Sequence, residues 1–513
     1  MIDHSENTKR IAKNTLMLYG RMLFSMVVSL YTSRVVLNTL GVVDYGIYGV
    51  VGGFVTMFSL ISSSLSSAVS RFLTFELGKG DKDRLGKAFS TSLLIHLVLA
   101  VIIVVIAETI GLWFVNNKMT IPTDRLYAAN WVFQASVLSF VFGLFSVSYN
   151  ATIVSHERMS AFAYIGILDT TLRLFVVLFV AYSSWKFDRL VVYALLLVVV
   201  SIFLQCIYIY YCRKHFEECR LKVNFDKGFW KEISSFAGWH FIGCSSQLLR
   251  DQGVNVLLNL FIGPVINAAR GIATSVNTVV TSFIGSFTSA LNPQITKSYA
   301  SGDYDYMFFL VEKGARFCYY ILMVLAFPII LETEYILSIW LQHFPEHTVN
   351  FVRMVLVMSL FDVLSFTLIT VQLATGKIRN YQLIVGGMLL LNFPLSYVFL
   401  KLDFPPESVY VIAIIISVLC LFMRMILLSR MVNLSIKQFT TNVLFNVFKV
   451  SIAAFSIPML IHLIMDYGLA RFAVVCFMSV LCSVFSILYV GCGTEERKSI
   501  IVKLLESTLN RNK

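Results

Sequence analysis

One short polar run interrupts a long apolar segment of this sequence and concentrates groups that could bind an anion. The run Gln247-Leu-Leu-Arg-Asp-Gln252 places two amides around the adjacent charges Arg250 and Asp251. Adjacent residues of a helix point about 100° apart, so these two charges do not face each other, and at least one is expected to meet another helix or a cavity. A guanidinium held there can bind a pyrophosphate or an acidic sugar, and the alternative is a structural ion pair.

Two further arginines lie within apolar segments. Arg270 comes early in the segment that follows, and Arg34 lies near the outer end of the first segment. Arg34 is explained equally well by a side chain that extends to the membrane interface. The candidate substrate-binding residues are therefore Gln247, Arg250, Asp251, Gln252, Arg270 and Arg34.

Two carboxylates within apolar segments could bind a coupling ion. Asp362 lies alone in the middle of its segment, and pairing with Arg250 is the alternative. Asp169 lies four residues before Arg173, and this spacing places both on one helix face and favours a structural ion pair. An ionisable group in mid-membrane costs several kcal/mol, so each of these residues requires a partner or a water-filled cavity.

The composition indicates the environment of these residues. Of the 513 residues, 58% are hydrophobic and 14% are charged, whereas soluble proteins contain about 25% charged residues. Too little polar surface remains for a water-soluble fold, which predicts an all-α integral membrane protein. The net charge of +12 lies in the connections between apolar segments rather than on one basic face, so no nucleic-acid binding is predicted.

Fourteen membrane-spanning helices are predicted, because a span requires about 20 mainly apolar residues. They lie near residues 15–37, 46–68, 89–115, 128–152, 161–183, 190–211, 235–261, 264–291, 315–335, 350–374, 380–400, 408–429, 444–465 and 470–491. The second, fourth, seventh and eighth are rich in Ser, Gly, Asn and Gln, which indicates contact with protein or water rather than lipid. Lys and Arg concentrate in alternate connections, and this pattern predicts that both termini are cytoplasmic.

A shift of 222 residues aligns part of the chain with itself, beginning with Gly41 on Gly263, and gives ten identities in 41 positions. The shift equals six predicted spans, which preserves orientation in the membrane. Parallel repeats of this kind form the two halves of transporters, with the substrate site between them. The predicted organisation is an N-terminal lobe at 1–222, a C-terminal lobe at 223–436, and two extra helices with a cytoplasmic tail at 437–513.

Four motifs occur in the first 90 residues of the chain. They are Asn14-Thr-Leu-Met-Leu-Tyr-Gly-Arg21, Ser33-Arg-Val-Val-Leu-Asn-Thr-Leu-Gly-Val-Val-Asp-Tyr-Gly-Ile-Tyr48, Ser70-Arg71-Phe-Leu and the Gly80-Asp81 loop. In these motifs the sequence resembles the polysaccharide-transport (Wzx-type) flippases, whose superfamily also contains the MATE drug exporters and the lipid II flippases.

The resemblance implies two six-helix lobes that face each other in a MATE-like V, with alternating access to a central cavity. The implied cargo is an undecaprenyl-pyrophosphate-linked oligosaccharide. It is moved from the cytoplasmic to the periplasmic leaflet of the bacterial inner membrane for O-antigen, capsule or exopolysaccharide synthesis, with polysaccharide polymerase machinery as a candidate partner. Lipid II flippases, the nearest alternative, carry cavity arginines on their first, second and eighth helices, and the second span here has none in its core.

Two other functions remain open at the level of sequence. A MATE-type drug exporter would favour acidic residues in the N-terminal lobe, where the spans and their edges offer only Asp44, Glu108 and Asp169. A membrane polysaccharide polymerase or ligase usually has a sizeable outer loop with ionisable groups, and the best candidate is the stretch from Glu332 to His347. The sequence contains no HExxH, GxSxG, P-loop or DxD pattern, so a non-enzyme is predicted.

No metal, disulfide or cofactor is predicted. Cys212, His215 and Cys219 are metal-ligating residue types that lie close together in a basic connecting segment, but this cluster lacks an evident fourth ligand. The nine cysteines include no CxxC pair and fall mostly in or beside apolar segments, where a free cysteine behaves as a small hydrophobic residue.

Overall fold

The computed structural model describes residues 5–56, 58–117, 121–183, 187–220, 226–341, 344–493 and 497. Regular structure in these ranges is helical, and they contain no β-strand. The prediction of an all-α fold is confirmed.

Two compact units share the chain. The first is formed by residues 1–245 and 289–303, and the second by residues 246–288 and 304–513. The lobe boundaries at residues 222 and 436 stay a prediction.

The helices of the first unit begin with a long N-terminal helix. They are α1 (Ser5–Thr56), α2 (Ser59–Lys79), α3 (Lys82–Ile106), α4 (Leu112–Asn117), α5 (Leu126–Ser155), α6 (Met159–Tyr182), α7 (Arg189–His215) and α8 (Lys227–Leu248). The last three residues of α8 belong to the second unit, and the last part of α10 belongs to the first.

The helices of the second unit are shorter and more often interrupted. They are α9 (Val254–Phe261), α10 (Pro264–Ser301), α11 (Tyr304–Leu331), α12 (Thr333–Leu341), α13 (Thr348–Val363), α14 (Phe366–Thr375), α15 (Arg379–Leu390), α16 (Asn392–Lys401), α17 (Ser408–Val432), α18 (Ile436–Phe439), α19 (Phe445–Ile464) and α20 (Leu469–Ser486). Turns of π-helix lie at Ala107–Gly111, Leu249–Gly253, Thr440–Leu444 and Ile487–Gly491.

Ten helical runs in the described part of the chain are long and apolar enough to cross a membrane. An eleventh is the pair α13 and α14, which bends by 42° between Val363 and Phe366. The predicted number of fourteen is therefore not confirmed. Three predicted spans fall outside these runs, at residues 46–68, 235–261 and 264–291. They are three of the four segments that are rich in Ser, Gly, Asn and Gln, and this composition lowers their mean hydropathy.

Small and branched side chains form the core of the first unit. The fully buried residues Ala129, Val132 and Phe133 of α5 pack in one cluster with Val51 of α1 and Leu190 of α7. A small residue such as alanine lets neighbouring helices approach closely, which is the usual basis of helix packing in a membrane.

A glycine and an ion-pair cluster position the end of α1. Gly41 has a φ of 79° and breaks the helix there, a backbone conformation that favours glycine. Three residues later, Asp44 accepts hydrogen bonds from Arg125, whose Nη1 also contacts Asp188 Oδ2 at 2.5 Å. The family-like motif Gly41-Val-Val-Asp44 therefore joins α1 to the segments that precede α5 and α7.

At the other end of the first unit, on the side predicted to face the cytoplasm, one buried carboxylate collects several donors. Glu157 adopts a φ of 58° in the turn between α5 and α6 and is 6% exposed. Its carboxylate accepts from Lys297 Nζ and Gln294 Nε2, each at 2.5 Å, and lies 3.1 Å from Arg10 Nη2. This cluster connects the start of α1 and the end of α10 to the α5–α6 turn.

Candidate functional site

A cavity of about 560 Å³ lies within the second unit. We call it the arginine cavity, because Arg250, Arg270 and Arg424 line it together with Asp251 and Asp362. Six of the eight predicted site residues are brought together here: Gln247, Arg250, Asp251, Gln252, Arg270 and Asp362.

A local change of helix geometry positions the polar run. Residues Leu249–Gly253 form a π-helical turn between α8 and α9, a feature that often occurs at functional sites. A Cβ atom at Gly253 would lie 2.7 Å from Cδ2 of Phe393, so only glycine allows α16 to approach this turn so closely. The widened turn directs Arg250 into the interior of the second unit while Asp251 remains exposed.

Arg250 is only 3% exposed and contacts three residues in two other helices. Its Nη2 lies 3.3 Å from Asp362 Oδ2 in α13, 3.2 Å from Ser417 Oγ in α17 and 2.8 Å from Met358 Sδ. Charge-assisted N–H···O bonds usually measure about 2.7–2.9 Å, so the contact with Asp362 is loose. A desolvated guanidinium with one loose carboxylate partner retains donor capacity for another anion.

Arg270 has an unsatisfied donor in the same cavity. Its Nη2 donates to the backbone oxygen of Asp251 at 2.9 Å, and its guanidinium lies 5.7 Å from the centre of the Tyr410 ring. Its Nη1 is buried and has no hydrogen-bond partner among the described residues. The side chain of Asp251 accepts from Gln247 Nε2 at 3.2 Å instead of pairing with Arg250.

Arg424 also lines the cavity, although it was not among the predicted site residues. It is 6% exposed, and it donates to Tyr381 Oη at 3.3 Å and to Ser365 Oγ at 3.0 Å. Ser365 lies in the bend between α13 and α14. The signal that could have revealed Arg424 is its spacing of seven residues from Ser417, because this spacing places both polar residues on one face of α17.

The two remaining predicted site residues lie in the first unit. Arg34 is an exposed residue of α1. Asp169 lines a separate cavity of about 700 Å³, and its Oδ1 accepts from Arg173 Nε at 2.7 Å, the spacing of four residues noted in the sequence. We call this the aromatic cavity, because the rings of Tyr48, Phe140, Phe162 and Tyr208 line it.

The outer acidic stretch forms ion pairs and hydrogen bonds within the second unit. Glu332 is 1% exposed, and its Oε1 lies 2.8 Å from His462 Nδ1 and 3.1 Å from Arg471 Nε. His347 contacts Glu407 at 2.7 Å. Burial raises the pKa of Glu407, but hydrogen bonds from Asn350 and His347 outweigh burial, and the pKa lies below its ordinary value. His343 lies outside the described residues.

The model of the polysaccharide biosynthesis protein family matches residues 9–299, which is more than half of the chain. This range includes all four N-terminal motifs. The chain belongs to this family. No curated protein matches the sequence significantly.

Solved transporter structures share its fold. One is an outward-facing multidrug resistance MATE family transporter of the MOP superfamily, with a TM-score of 0.71, 14% identity, and coverage of 84% of this chain and 97% of that one. A MATE protein in the straight conformation gives 0.69 at 14% identity, covering 83% and 96% of the two chains. A MOP superfamily transporter from Pyrococcus furiosus, described as having a binding pocket of reverse polarity, gives 0.67 at 13% identity, covering 82% and 95%.

These findings confirm the family and the fold class. The protein is a multi-pass membrane protein of the polysaccharide biosynthesis family with a MATE-like fold, as the motifs near its N-terminus suggested.

Proposed function

We propose that this protein is a flippase for undecaprenyl-pyrophosphate-linked oligosaccharide repeat units, which it moves from the cytoplasmic to the periplasmic leaflet by alternating access. The observation that carries the proposal is Arg250, a buried guanidinium with one loose carboxylate partner in a cavity within the membrane-spanning part of the chain. Membership of the polysaccharide biosynthesis family favours a saccharide cargo.

The chemistry of the cargo explains the need for such a cavity. A pyrophosphate cannot cross hydrocarbon without replacement of its hydration and its counter-charge. Guanidinium groups supply both, because they stay protonated and present several N–H donors in a plane that matches phosphate oxygens. Nη1 of Arg270 has no protein partner among the described residues and is available for one of these oxygens.

Asp362 holds Arg250 in place when no anion is bound. Replacement of this carboxylate by a pyrophosphate oxygen would exchange one charge-assisted hydrogen bond for another, so binding need not leave a buried charge without a partner. Three arginines and two aspartates line the cavity. The net positive charge of these five residues favours an anionic cargo over the organic cations of a drug exporter.

We place the protein in the bacterial inner membrane with both termini in the cytoplasm, in agreement with the distribution of Lys and Arg between the connections. The lipid chain of the cargo remains in the bilayer while the pyrophosphate and sugars pass through the protein. A polysaccharide polymerase at the periplasmic face would consume the translocated repeat units.

The experiment is complementation of a bacterium that lacks its own polysaccharide flippase. Wild-type protein is expected to restore surface polysaccharide. Hydrogen bonds to charged groups contribute about 1.5–3 kcal/mol each, so Arg250→Ala is expected to lower export by about 10- to 100-fold. Lys449→Ala, which removes an exposed cation from α19 that lies 4.2 Å over the Phe445 ring, is the matched control and should export normally.

Two outcomes would overturn the proposal. One is wild-type protein that is inserted in the membrane but exports no repeat unit of several chemistries and instead expels cationic dyes. The other is rescue of lipid II transport alone, which would assign the related peptidoglycan precursor as cargo.

A further inference from the structure

The aromatic cavity of the first unit has two kinds of lining. It is lined by rings, including those of Tyr48, Phe162 and Tyr208, and by neutral polar side chains such as Ser139 and Asn150. Its volume of about 700 Å³ lies within the roughly 300–1,000 Å³ range of small-molecule sites. It is formed by α1, α5, α6 and α7.

Asn150 in α5 supplies an unused acceptor. Its side-chain oxygen is buried, and it has no hydrogen-bond partner among the described residues. Buried polar atoms are almost always satisfied, so an exception that lines a cavity points to a donor from a bound molecule or water.

The ion pair Asp169–Arg173 lines the same cavity. Its Nε–Oδ1 distance is 2.7 Å, and the two side chains retain 35% and 47% of their exposure. An ion pair at this distance contributes little net charge. The second carboxylate oxygen of Asp169 and the remaining N–H groups of Arg173 provide hydrogen-bond acceptors and donors next to each other. Adjacent hydroxyl groups of a sugar ring, each both a donor and an acceptor, fit that arrangement.

The rings provide the apolar part of the site. Tyr48 packs edge-on against Tyr193 with ring centres 5.2 Å apart, which fixes its position. The guanidinium carbon of Arg21 lies 4.1 Å from the centre of the Phe162 ring, and a Cβ at Gly166 would lie 2.8 Å from Cδ of Arg21. Aromatic faces and a flat guanidinium are suitable surfaces for the C–H faces of a pyranose.

From these contacts we infer that the aromatic cavity is a carbohydrate-binding site, which takes sugar residues of the cargo and discriminates between repeat units. The inference rests on the proposed function, since it names a second contact for the same cargo. Two arginines and one aspartate line the cavity, and this balance disfavours an organic cation. An acyl chain is disfavoured, because it offers no hydrogen-bond partner to the Asn150 oxygen or to the Asp169–Arg173 pair.

Binding of free glycans to the full-length protein in lipid nanodiscs tests the site without any transport step. The probes are neutral oligosaccharides released by mild acid from the surface polysaccharide of the source organism, with inorganic pyrophosphate as a second ligand. Asn150→Leu and Tyr208→Phe are expected to weaken glycan binding about tenfold and about threefold, because each removes one hydrogen-bonding group. Neither should change pyrophosphate binding.

The reverse pattern is expected of a variant in the arginine cavity. Arg250→Lys should weaken pyrophosphate binding and leave glycan binding at the wild-type level. The inference is overturned if folded Tyr208→Phe and Asn150→Leu proteins bind glycans like the wild type. It is also overturned if tetraphenylphosphonium, a lipophilic cation, binds the cavity and glycans do not.

Complementation separates this inference from the proposed function. If wild-type protein exports no repeat unit, the proposed function fails, and glycan binding is judged from nanodiscs alone. If wild-type protein exports several repeat units and Asn150→Leu exports them in unchanged proportion, the proposed function stands and the discrimination assigned to the aromatic cavity is wrong.

Discussion

The two cavities differ in how deeply their arginines are buried and in how closely a carboxylate pairs with them. In the arginine cavity, Arg250 is 3% exposed and lies 3.3 Å from Asp362, a partner 112 residues further along the chain. In the aromatic cavity, Arg173 is 47% exposed and lies 2.7 Å from Asp169 on the same helix. A buried charge with a loose, distant partner can exchange that partner for a ligand, whereas a tight local pair acts as a neutral polar surface.

The largest expected effect on stability comes from removing the carboxylate of the buried pair, with the exposed pair as its comparison. Asp362→Asn leaves a buried guanidinium without a counter-charge, and breaking a fully buried pair costs about 3–5 kcal/mol. Because the Asp362 side chain is 28% exposed, we expect a loss of about 2 kcal/mol, measured by thermal unfolding in detergent. Asp169→Asn should cost no more than about 0.5 kcal/mol, as expected of an exposed pair four residues apart.

Added pyrophosphate sharpens this contrast. It is expected to restore part of the stability of Asp362→Asn, because an anion that binds only the folded state stabilises that state. Equal destabilisation by the two substitutions would contradict the difference drawn between the cavities.

A second prediction separates the cavities from the buried charge cluster of the first unit. Glu157→Gln removes the carboxylate that receives Lys297 and Arg10. We expect a loss of about 1–1.5 kcal/mol of stability, less than for Asp362→Asn, because Arg10 is 52% exposed. Glycan and pyrophosphate affinities of the folded variant should match those of the wild type, measured in nanodiscs, and a loss of either affinity would place Glu157 in a binding site.

Substitution of Arg424 tests whether this residue takes part in anion binding in the arginine cavity. Arg424→Leu is expected to weaken pyrophosphate binding about three- to tenfold, since it removes one cation from the lining. Its bonds to Tyr381 and Ser365 also support the bend between α13 and α14. Arg424→Lys, which retains the charge without the planar donors, should recover part of the affinity, and a variant that binds like the wild type would restrict Arg424 to a structural role.

Another small effect, which depends on pH, concerns the carboxylate of Asp188 in the first unit. Burial raises the pKa of Asp188, but hydrogen bonds from Arg125 and the backbone N–H groups of Val191 and Leu190 outweigh it and hold this pKa below its ordinary value of 3.8. The folded state therefore gains stability from this carboxylate above pH 3.8 and loses it as the pH falls through the lowered value. Asp188→Asn should cost about 0.5–1 kcal/mol at pH 7, after allowance for partial exposure, and should flatten the acid limb of a thermal-stability profile.

Local patterns in the sequence predicted the parts of this molecule that depend on neighbouring residues. The polar run Gln247–Gln252 marked the arginine cavity, and the spacing of Asp169 and Arg173 marked their contact. The sequence indicates Arg424 only weakly, through its spacing from Ser417, because the burial of Arg424 depends on Tyr381 and Ser365 outside its own helix. The unsatisfied oxygen of Asn150 is invisible without three-dimensional packing.

The predicted number of spans depended on segments whose hydropathy is too low to mark them clearly as membrane helices. Segments such as 235–261 and 264–291 carry the amides and arginines of the arginine cavity, so hydropathy alone does not mark them as spans. The same polar residues that indicate function therefore weaken the signal for a membrane helix.

Translocation in proteoliposomes tests the central claim most directly. Purified protein is reconstituted with an undecaprenyl-pyrophosphate-linked oligosaccharide, and a membrane-impermeant glycosidase reports how much sugar reaches the opposite leaflet. We predict translocation by the wild type and by Lys449→Ala, and a rate at least about tenfold lower for Arg250→Ala. Equal rates for Arg250→Ala and wild type would contradict the account, because the cargo would then cross without the buried guanidinium.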